Sequence, residues 1–475
     1  MVGFLLLPGL IFSVFRQAGV ARRAAWAWMW ILSTAFGYAL QAGSIGNDLT
    51  GTIFCLISVH YGLRARRSRR VEEVWLAGWA AAIMTGIKTC NPPLLLPCLL
   101  AAGPALKHLR RRWMAGILVG VIALVISVIP TMGLNQKYTG SWAGDPGNRS
   151  QIRIHDPVAA FLGNSLLLGQ QLLMPPFLPG APNVNAWLNH HLPDSWKRKL
   201  EKGFPRYPAS RLNELPQEEA ASLGIGITLL LLAAAVAPWC RAGKNQPAVT
   251  RRWKISSVGL AAWGASLFFM LKMGSEADAR LMLPYYPLVM IPVLILPGQD
   301  CLVRRAGWRI LAVLVSLSFL PCLILTPSRP LWPTQAVSKW LVRRYPESAL
   351  MQRMETVYSC YHRRNDLLAP LRIQLPDDAT KVGFIAGENN PDYSLWRPFG
   401  HRQVVYLWNG TPQSILLPPD VEWIVVKRNV WPEVSPVPLE EWAAQHGIEI
   451  VFSVPIQSFA SGTEETWCLL HIRKP

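Results

Sequence analysis

The stretch that decides the fold is QAGSIGNDLTGTIFCLISVHYGL, from Gln41 to Leu63. Within it, a short polar patch containing Asn47 and Asp48 stands directly before an apolar run that ends at Arg64. An ionised carboxylate is costly in lipid, so an acid at the start of a membrane helix needs a reason. One interpretation is that Asn47 or Asp48 caps the helix, because their side chains accept from free N–H groups there. The other is that Asp48 faces a polar substrate at the membrane surface, and the two interpretations are compatible.

The composition points to a membrane protein. Of the 475 residues 51% are hydrophobic, and the apolar runs are separated by short Arg-rich segments. This pattern is typical of polytopic helical membrane proteins. The net charge is +19, from 47 basic and 28 acidic residues. Because most basic clusters lie beside apolar runs, we interpret the charge as an orientation signal and not as a nucleic-acid-binding surface.

Apolar runs recur along the first two thirds of the chain. The hydrophobic segments lie at residues 1–15, 24–43, 48–63, 74–87, 92–106, 113–133, 222–239, 254–273, 281–298 and 307–326. The runs at 74–87 and 92–106 are shorter than the ~20 residues that a span needs, so they form either one bent helix or a hairpin. Basic residues at both outer ends favour the hairpin. We therefore predict a polytopic α-helical membrane protein with about nine or ten hydrophobic segments.

Basic residues are distributed unevenly between alternate connecting segments. Five of these segments carry three or more each: 16–23, 64–70, 107–112, 241–254 and 304–309. The alternate short segments, 44–47 and 274–280, carry none and one. Since basic segments stay in the cytoplasm, this pattern places Asp48, Lys88 and Arg280 on the extracytoplasmic side.

The polarity of the chain predicts two domains. Residues 1–326 form the membrane domain, with an external loop at 134–220, and residues 327–475 form a soluble extracytoplasmic domain. The soluble domain mixes candidate helices at 334–344 and 439–446 with strand-like runs, which favours a compact α/β structure. The predicted strands are 381–386, 403–408, 422–427, 449–454 and 466–472.

The segment from Gly387 to Asp392 follows the first predicted strand. Ligands in open α/β sheets bind at such strand ends. The segment is also rich in Asn, Pro and Asp, which are ordinary turn formers, so a plain turn is the alternative.

Three polar features fall on the same predicted side of the membrane: Asn47 with Asp48, Lys88, and the segment Glu276-Ala277-Asp278-Ala279-Arg280. Two external cations near helix ends suit a lipid-linked phosphate, since Arg binds phosphate oxygens bidentately and Lys acts as a point charge. The alternative for Lys88 is a lysine that snorkels at a helix C-terminus. The alternative for Arg280 is a local ion pair with Glu276.

Motifs for metals and nucleotides are absent from the sequence. It has no CxxC or Cys/His metal spacing, no P-loop, no GxSxG and no GxGxxG. We therefore predict no cofactor, and a divalent metal is not indicated. Cys360 and Cys468 lie in the soluble domain and could pair in an oxidising space.

Five pieces of the sequence occur in an order shared with one group of membrane enzymes. They are FRQAGVARRAAW (15–26), GSIGNDLTGTIF (43–54), MTGIKTCNPPLLLP (84–97), NQKYTGS (135–141) and ARLMLPYYP (279–287). With them the chain resembles the GT-C superfamily of integral membrane glycosyltransferases. The resemblance is to the branch that contains protein O-mannosyltransferases and the bacterial transferases that add aminoarabinose to lipid A.

The resemblance implies an integral protein of the bacterial inner membrane with an extracytoplasmic active site. It implies transfer of a sugar from a polyprenyl-phosphate donor to a glycan, lipid or protein acceptor. By the family pattern Asp48 would be a catalytic acid, and Lys88 and Arg280 would hold the donor phosphate. Further candidates for substrate contacts are Asn47, Tyr138, Glu276 and Asp278.

One departure from the family pattern stands out. The family's principal catalytic acid lies in the first external loop, but no Asp or Glu precedes Asp48 here. We therefore expect that the first helix and first external loop are missing from this chain. Two other functions stay open: a transporter or flippase of a lipid-linked glycan, and a catalytically silent membrane protein whose external domain binds a glycan or a partner.

Overall fold

The computed structural model contains a helical N-terminal part and a C-terminal part with a five-stranded sheet. The chain divides into two compact units. The first contains Met1–Ala143 and Ile152–Thr326, and the second contains Gly144–Gln151 and Pro327–Pro475. The residues described are 2–42, 46–142, 144, 156–204, 212–236, 250–272, 278–326, 333–362, 366–387, 390, 392–408, 415, 417–457 and 464–472.

The first unit is made of helices of very different lengths. Two short 3₁₀ segments, Pro92–Leu94 and Gly103–Arg112, flank one of them. The helices are α1 (Val2–Gln17), α2 (Arg22–Ser33), α3 (Phe36–Gln41), α4 (Asp48–Ser68), α5 (Val71–Ile87), α6 (Leu95–Ala102), α7 (Trp113–Ile126), α8 (Ile129–Thr139), α9 (Pro157–Leu172), α10 (Ala181–His191), α11 (Asp194–Gly203), α12 (Gly224–Val236), α13 (Thr250–Lys272), α14 (Asp278–Leu281), α15 (Tyr286–Val289), α16 (Ile291–Leu294), α17 (Gln299–Leu302), α18 (Ala306–Leu317) and α19 (Phe319–Leu325).

Helix α4 lies at the centre of this unit and packs against α1, α5 and α6. Its small residues permit the close approach of its neighbours. A Cβ on Gly62 would stand 2.9 Å from the backbone nitrogen of Ala102 at the end of α6. The interior includes large aromatic side chains, with Trp28, Tyr38 and Tyr285 each fully buried.

The prediction of a polytopic membrane protein with nine or ten hydrophobic segments is wrong. Over the described ranges, one helical segment, Ala306–Leu325, which comprises α18 and α19, is long and apolar enough to cross a membrane. The count rises to two if the pair Trp113–Ile126 and Ile129–Tyr138, which is bent by 47°, is taken as one span.

The reason is that an apolar run in the sequence is not always one continuous helix. The run at 281–298 begins at the last residue of α14 and contains α15 and α16, two helices of four residues each. The run at 92–106 contains a 3₁₀ turn and an eight-residue α-helix. The apolar helices Val2–Gln17 and Gly224–Val236, and the apolar part of α13 at Ser257–Leu271, are shorter than 18 residues.

The predicted external loop at 134–220 includes regular structure, namely the end of α8 and helices α9, α10 and α11. Helix α9 packs against α13 and α11. The side of a membrane on which this segment lies stays a prediction.

The second unit is a mixed sheet with helices. The strands are β1 (Lys381–Ile385), β2 (Gln403–Tyr406), β3 (Trp423–Lys427), β4 (Ile448–Gln457) and β5 (Glu464–Ile472), in the order β2-β1-β3-β5-β4. Strand β1 pairs in parallel with β2 and β3, while β5 pairs antiparallel with β3 and β4. The helices are α20 (Thr334–Arg344), α21 (Ala349–His362), α22 (Ala369–Ile373), α23 (Trp431–Val434) and α24 (Leu439–Gln445).

All five strand predictions and both helix predictions in this unit agree with the structure within a few residues. Continuous apolar runs rich in β-branched residues carry the signal, because β1 and β3 are buried on both faces. Cys468 is a free, buried thiol on β5, and the Ser453 hydroxyl donates to it. Cys468 is therefore not part of a disulfide, and the side chain of Cys360 lies outside the described residues.

The end of α5 offers a test of the packing. A Cβ on Gly86 would stand 2.4 Å from the carbonyl oxygen of Ile126, whereas a Cβ on Gly78 of the same helix meets nothing within 4 Å. We expect Gly86→Ala to destabilise the first unit by about 1–3 kcal/mol, because backbone must move. Gly78→Ala should stabilise it by about 0.5–1 kcal/mol through helix propensity. Thermal unfolding of the full chain measures both, and equal midpoints for the two variants would contradict this packing.

Candidate functional site

Asp48 begins helix α4 and is buried, with its side chain 3% exposed. Asn47 occupies the position before the helix, but its side chain does not cap it. Instead the Asn47 amide nitrogen donates to the carbonyl oxygen of Ile87 at 2.8 Å. The capping interpretation is therefore wrong for Asn47, and the carboxylate of Asp48 faces two cations, described next.

Lys88 supplies the first cation. It directly follows α5 in extended backbone conformation, and its ammonium lies 2.5 Å from Oδ1 of Asp48. The Lys88 side chain is 25% exposed. It therefore forms an ion pair with a buried acid and is more than a lysine that snorkels at a helix end.

Arg280 supplies the second cation, from the four-residue helix α14. Its Nε lies 3.1 Å from Oδ2 of Asp48, and its side chain is 21% exposed. The distance is that of an ion pair, but the N–H is not aimed at the oxygen. Consequently neither Nε of Arg280 nor Oδ2 of Asp48 has a hydrogen-bond partner among the described residues. Such unsatisfied buried atoms are rare in proteins and leave bonding capacity at this site.

The three side chains sum to a charge of +1, and the cations are more exposed than the acid that joins them. Cys90 adds no charge, because burial, the largest effect, raises the pKa of its thiol to about 12. A partly accessible pair of cations around one buried carboxylate is suited to an anion with several oxygens, such as a phosphate.

Asn91 fixes the loop that carries Lys88, and it was not among the predicted site residues. Its side chain is buried, its amide nitrogen donates to the carbonyl oxygen of Met84 at 2.9 Å, and its backbone N–H donates to the carbonyl oxygen of Lys88 at 3.0 Å. Gly51, one turn into α4, gives this loop room, since a Cβ there would stand 2.8 Å from the Asn91 amide nitrogen. The turn formers Asn91-Pro92-Pro93 were the available signal.

Buried tyrosines fix the backbone that follows Arg280. The Tyr38 hydroxyl donates to the carbonyl oxygen of Leu283 at 2.5 Å, and the hydroxyls of Ser222 and Tyr286 are hydrogen-bonded at 2.5 Å. Each of these contacts joins segments far apart in the sequence. Arg280 is thus presented from a well-anchored turn, although α14 is short.

The remaining predicted site residues are not part of this cluster as far as it is described. Tyr138 lies near the end of α8 with 73% of its surface exposed, and the Lys137 ammonium stands 5.3 Å from its ring centre. Glu276 lies outside the described residues, and so does the side chain of Asp278. The predicted local pair between Arg280 and Glu276 therefore also lies outside them.

Comparisons with known proteins identify no relative. No family model matches the chain, and neither a curated protein nor a solved structure does. The resemblance to the GT-C superfamily stays a prediction from the sequence.

The ion cluster leads to a stability prediction. Asp48→Asn removes the charge that neutralises Lys88 and Arg280, so we expect the variant to lose up to about 3 kcal/mol of unfolding free energy. Asp194→Asn is the matched control, because Asp194 is 84% exposed and lies 3.5 Å from Lys197. Its loss should stay within about 0.5 kcal/mol. Chemical denaturation of the full chain measures the difference, and similar losses in both variants would show that Asp48 does not hold the cluster together.

Proposed function

We propose that this chain transfers a glycosyl group from a polyprenyl-phosphate-linked sugar to an extracytoplasmic acceptor. The observation that carries the proposal is the convergence of Lys88 and Arg280 on the buried carboxylate of Asp48. These residues come from three distant parts of the sequence, and the cations keep part of their surface accessible. The same three residues occupy the positions that the family resemblance marks.

The chemistry of the transfer explains the need for cations. The acceptor hydroxyl oxygen forms a bond to the anomeric carbon while the bond from that carbon to the phosphate oxygen breaks. The electron pair leaves with the polyprenyl phosphate, and the hydroxyl proton passes to a base. Preorganised cations stabilise the charge that develops on the leaving phosphate.

The geometry favours a positioning role for Asp48. Its side chain is 3% exposed and each of its oxygens faces a cation. An acceptor hydroxyl would have to displace a cation to reach it, and a general base must come within hydrogen-bond reach of its proton. We therefore propose that Asp48 orders Lys88 and Arg280 for the donor phosphate. Its role as a proton acceptor stays a prediction.

Exposed apolar helix surfaces support a lipid-linked donor and a bilayer as partner. Helix α7 has no buried residue, and it exposes Leu118, Val121 and Val125 among others. Helix α18 exposes Ile310 and Leu314 in the same way. Large apolar patches on a protein surface mark contact with lipid or with another protein. The inner membrane and the extracytoplasmic side of the second unit remain predictions.

Binding of farnesyl phosphate to the full chain tests the phosphate site, with farnesol as the uncharged comparison. Each cation that bonds the phosphate contributes about 1.5–3 kcal/mol, so Lys88→Ala and Arg280→Ala should each weaken binding about 10- to 100-fold. Lys137→Ala is the control, because Lys137 is an exposed cation paired with a ring. It should change the Kd less than about 2-fold.

Equal affinity for farnesyl phosphate and farnesol, or equal losses in the Lys137 variant, would contradict a phosphate site at Lys88 and Arg280. Release of polyprenyl phosphate from a polyprenyl-phosphate mannose donor then separates a transferase from a transporter or a silent protein. The proposed transfer would be overturned if the chain binds farnesyl phosphate but releases no polyprenyl phosphate from any of several polyprenyl-phosphate sugar donors, each tried with several acceptors.

A further inference from the structure

The parallel strands of the second unit place several polar and aromatic side chains at one edge of the sheet. Strand β1 lies between β2 and β3, so the chain crosses from one side of β1 to the other after β2. In open sheets with parallel strands, ligands bind outside the carboxyl ends at such a crossing. The segment after β1 carries Asp392, and β2 ends at Tyr406 on the same edge.

Asp392 is held in one orientation by two donors. The Tyr406 hydroxyl donates to its Oδ2 at 2.6 Å, and the Trp396 indole nitrogen donates to the same oxygen at 2.9 Å. Burial and, after it, the bond to Asp392 raise the pKa of Tyr406, so its hydroxyl remains a donor at neutral pH. Oδ1 of Asp392 has no hydrogen-bond partner among the described residues. One fixed carboxylate oxygen is therefore left for an external donor.

The loop that carries these side chains is held in place by the buried residue Arg402. The buried guanidinium of Arg402 donates to three backbone carbonyl oxygens, those of Ala379, Arg397 and Pro376, at 2.8–3.1 Å. Leu395, within the loop, is fully buried. A site built on an anchored loop loses little conformational freedom when a ligand binds.

Two partly exposed aromatic residues accompany Asp392: Tyr406, which bonds its Oδ2, and Tyr393, which follows it in the chain. Tyr406 is 59% exposed and Tyr393, which follows Asp392, is 45% exposed. The Tyr406 ring is supported from below by Phe384, its β1 partner in register, edge-on at 5.6 Å between ring centres. Amphipathic rings of this kind are preferred where one face is packed and the other meets a partner.

The turn interpretation of this segment is also satisfied. The Gly387 N–H donates to the side-chain oxygen of Asn390 at 3.0 Å, as in a side-chain-stabilised turn. This bond shapes the chain before Asp392 and uses neither Asp392 nor Tyr406. The turn and a ligand site at its end are thus separate features of one segment.

We propose that the edge formed by Asp392, Tyr406 and Tyr393 binds a neutral carbohydrate. A sugar presents hydroxyl donors for the free oxygen of Asp392 and C–H faces for the exposed tyrosine rings. A quaternary ammonium is the competing ligand of carboxylate and aromatic groups. Arg397 of the same loop is paired with Asp366 at 3.6 Å, so its charge is already balanced. What favours the sugar is that a quaternary ammonium has no hydrogen-bond donor for the free oxygen of Asp392, whereas a sugar hydroxyl does. This inference does not depend on the proposed transferase function.

Saturation-transfer NMR on the full chain tests the site with a panel of probes. The panel contains mannose, galactose, N-acetylglucosamine, cellotetraose and chitotetraose as neutral sugars, and tetramethylammonium as the cation. We expect at least one neutral sugar to bind. Asp392→Ala and Tyr393→Ala should each weaken that binding by 10-fold or more, which corresponds to a lost contact of about 1.4 kcal/mol.

Asp420→Ala is the matched control. Asp420 pairs with Lys381 at the opposite, amino end of the parallel strands, so its removal should leave sugar binding unchanged. Equal thermal midpoints for the Tyr393 variant and the unchanged chain show that the loss is not unfolding. The proposal is overturned if no sugar of the panel binds, if the Asp420 variant loses binding equally, or if tetramethylammonium binds in an Asp392-dependent way and the sugars do not.

Discussion

The buried carboxylate of Asp48 is the charge on which the helical unit depends. An isolated ion inside a protein costs several kcal/mol, so its partners must stay in place. Lys88 and Arg280 meet that need from the end of α5 and from α14. The residues that hold the two cations in place are therefore constrained as well. The Lys88 loop requires Asn91, and it requires a glycine at position 51, because a Cβ on residue 51 would collide with the Asn91 side-chain amide.

The same constraint explains why this cluster is suited to binding. A cation that is paired completely has little left for a ligand, but Lys88 and Arg280 share one carboxylate and are 25% and 21% exposed. Arg280 also approaches Asp48 without hydrogen-bond geometry. An arriving anion could therefore gain bonds without first breaking a complete set. Asp392 in the second unit is also only partly bonded, but it is an anion and not a cation. Two donors fix one of its oxygens and leave the other free for a ligand.

The sequence predicted the second unit far better than the first. Strands such as β3 are short, β-branched and bounded by turn formers, so local pattern determines them. The apolar runs of the first unit do not reveal where a helix breaks, as the division of residues 281–298 shows. For the cluster, charge counting placed Asp48, Lys88 and Arg280 on one predicted side. That they touch depends on tertiary packing, and so does the role of Asn91, which no local pattern distinguishes from a turn residue.

The most direct test is an experimental structure of the full chain with farnesyl phosphate bound. The phosphate oxygens are predicted to lie within hydrogen-bond distance of the Lys88 ammonium and the Arg280 guanidinium, with Asp48 still paired to Lys88. A phosphate bound elsewhere, with Lys88 and Arg280 contacting only Asp48, would contradict the assignment of these residues to a donor-phosphate site.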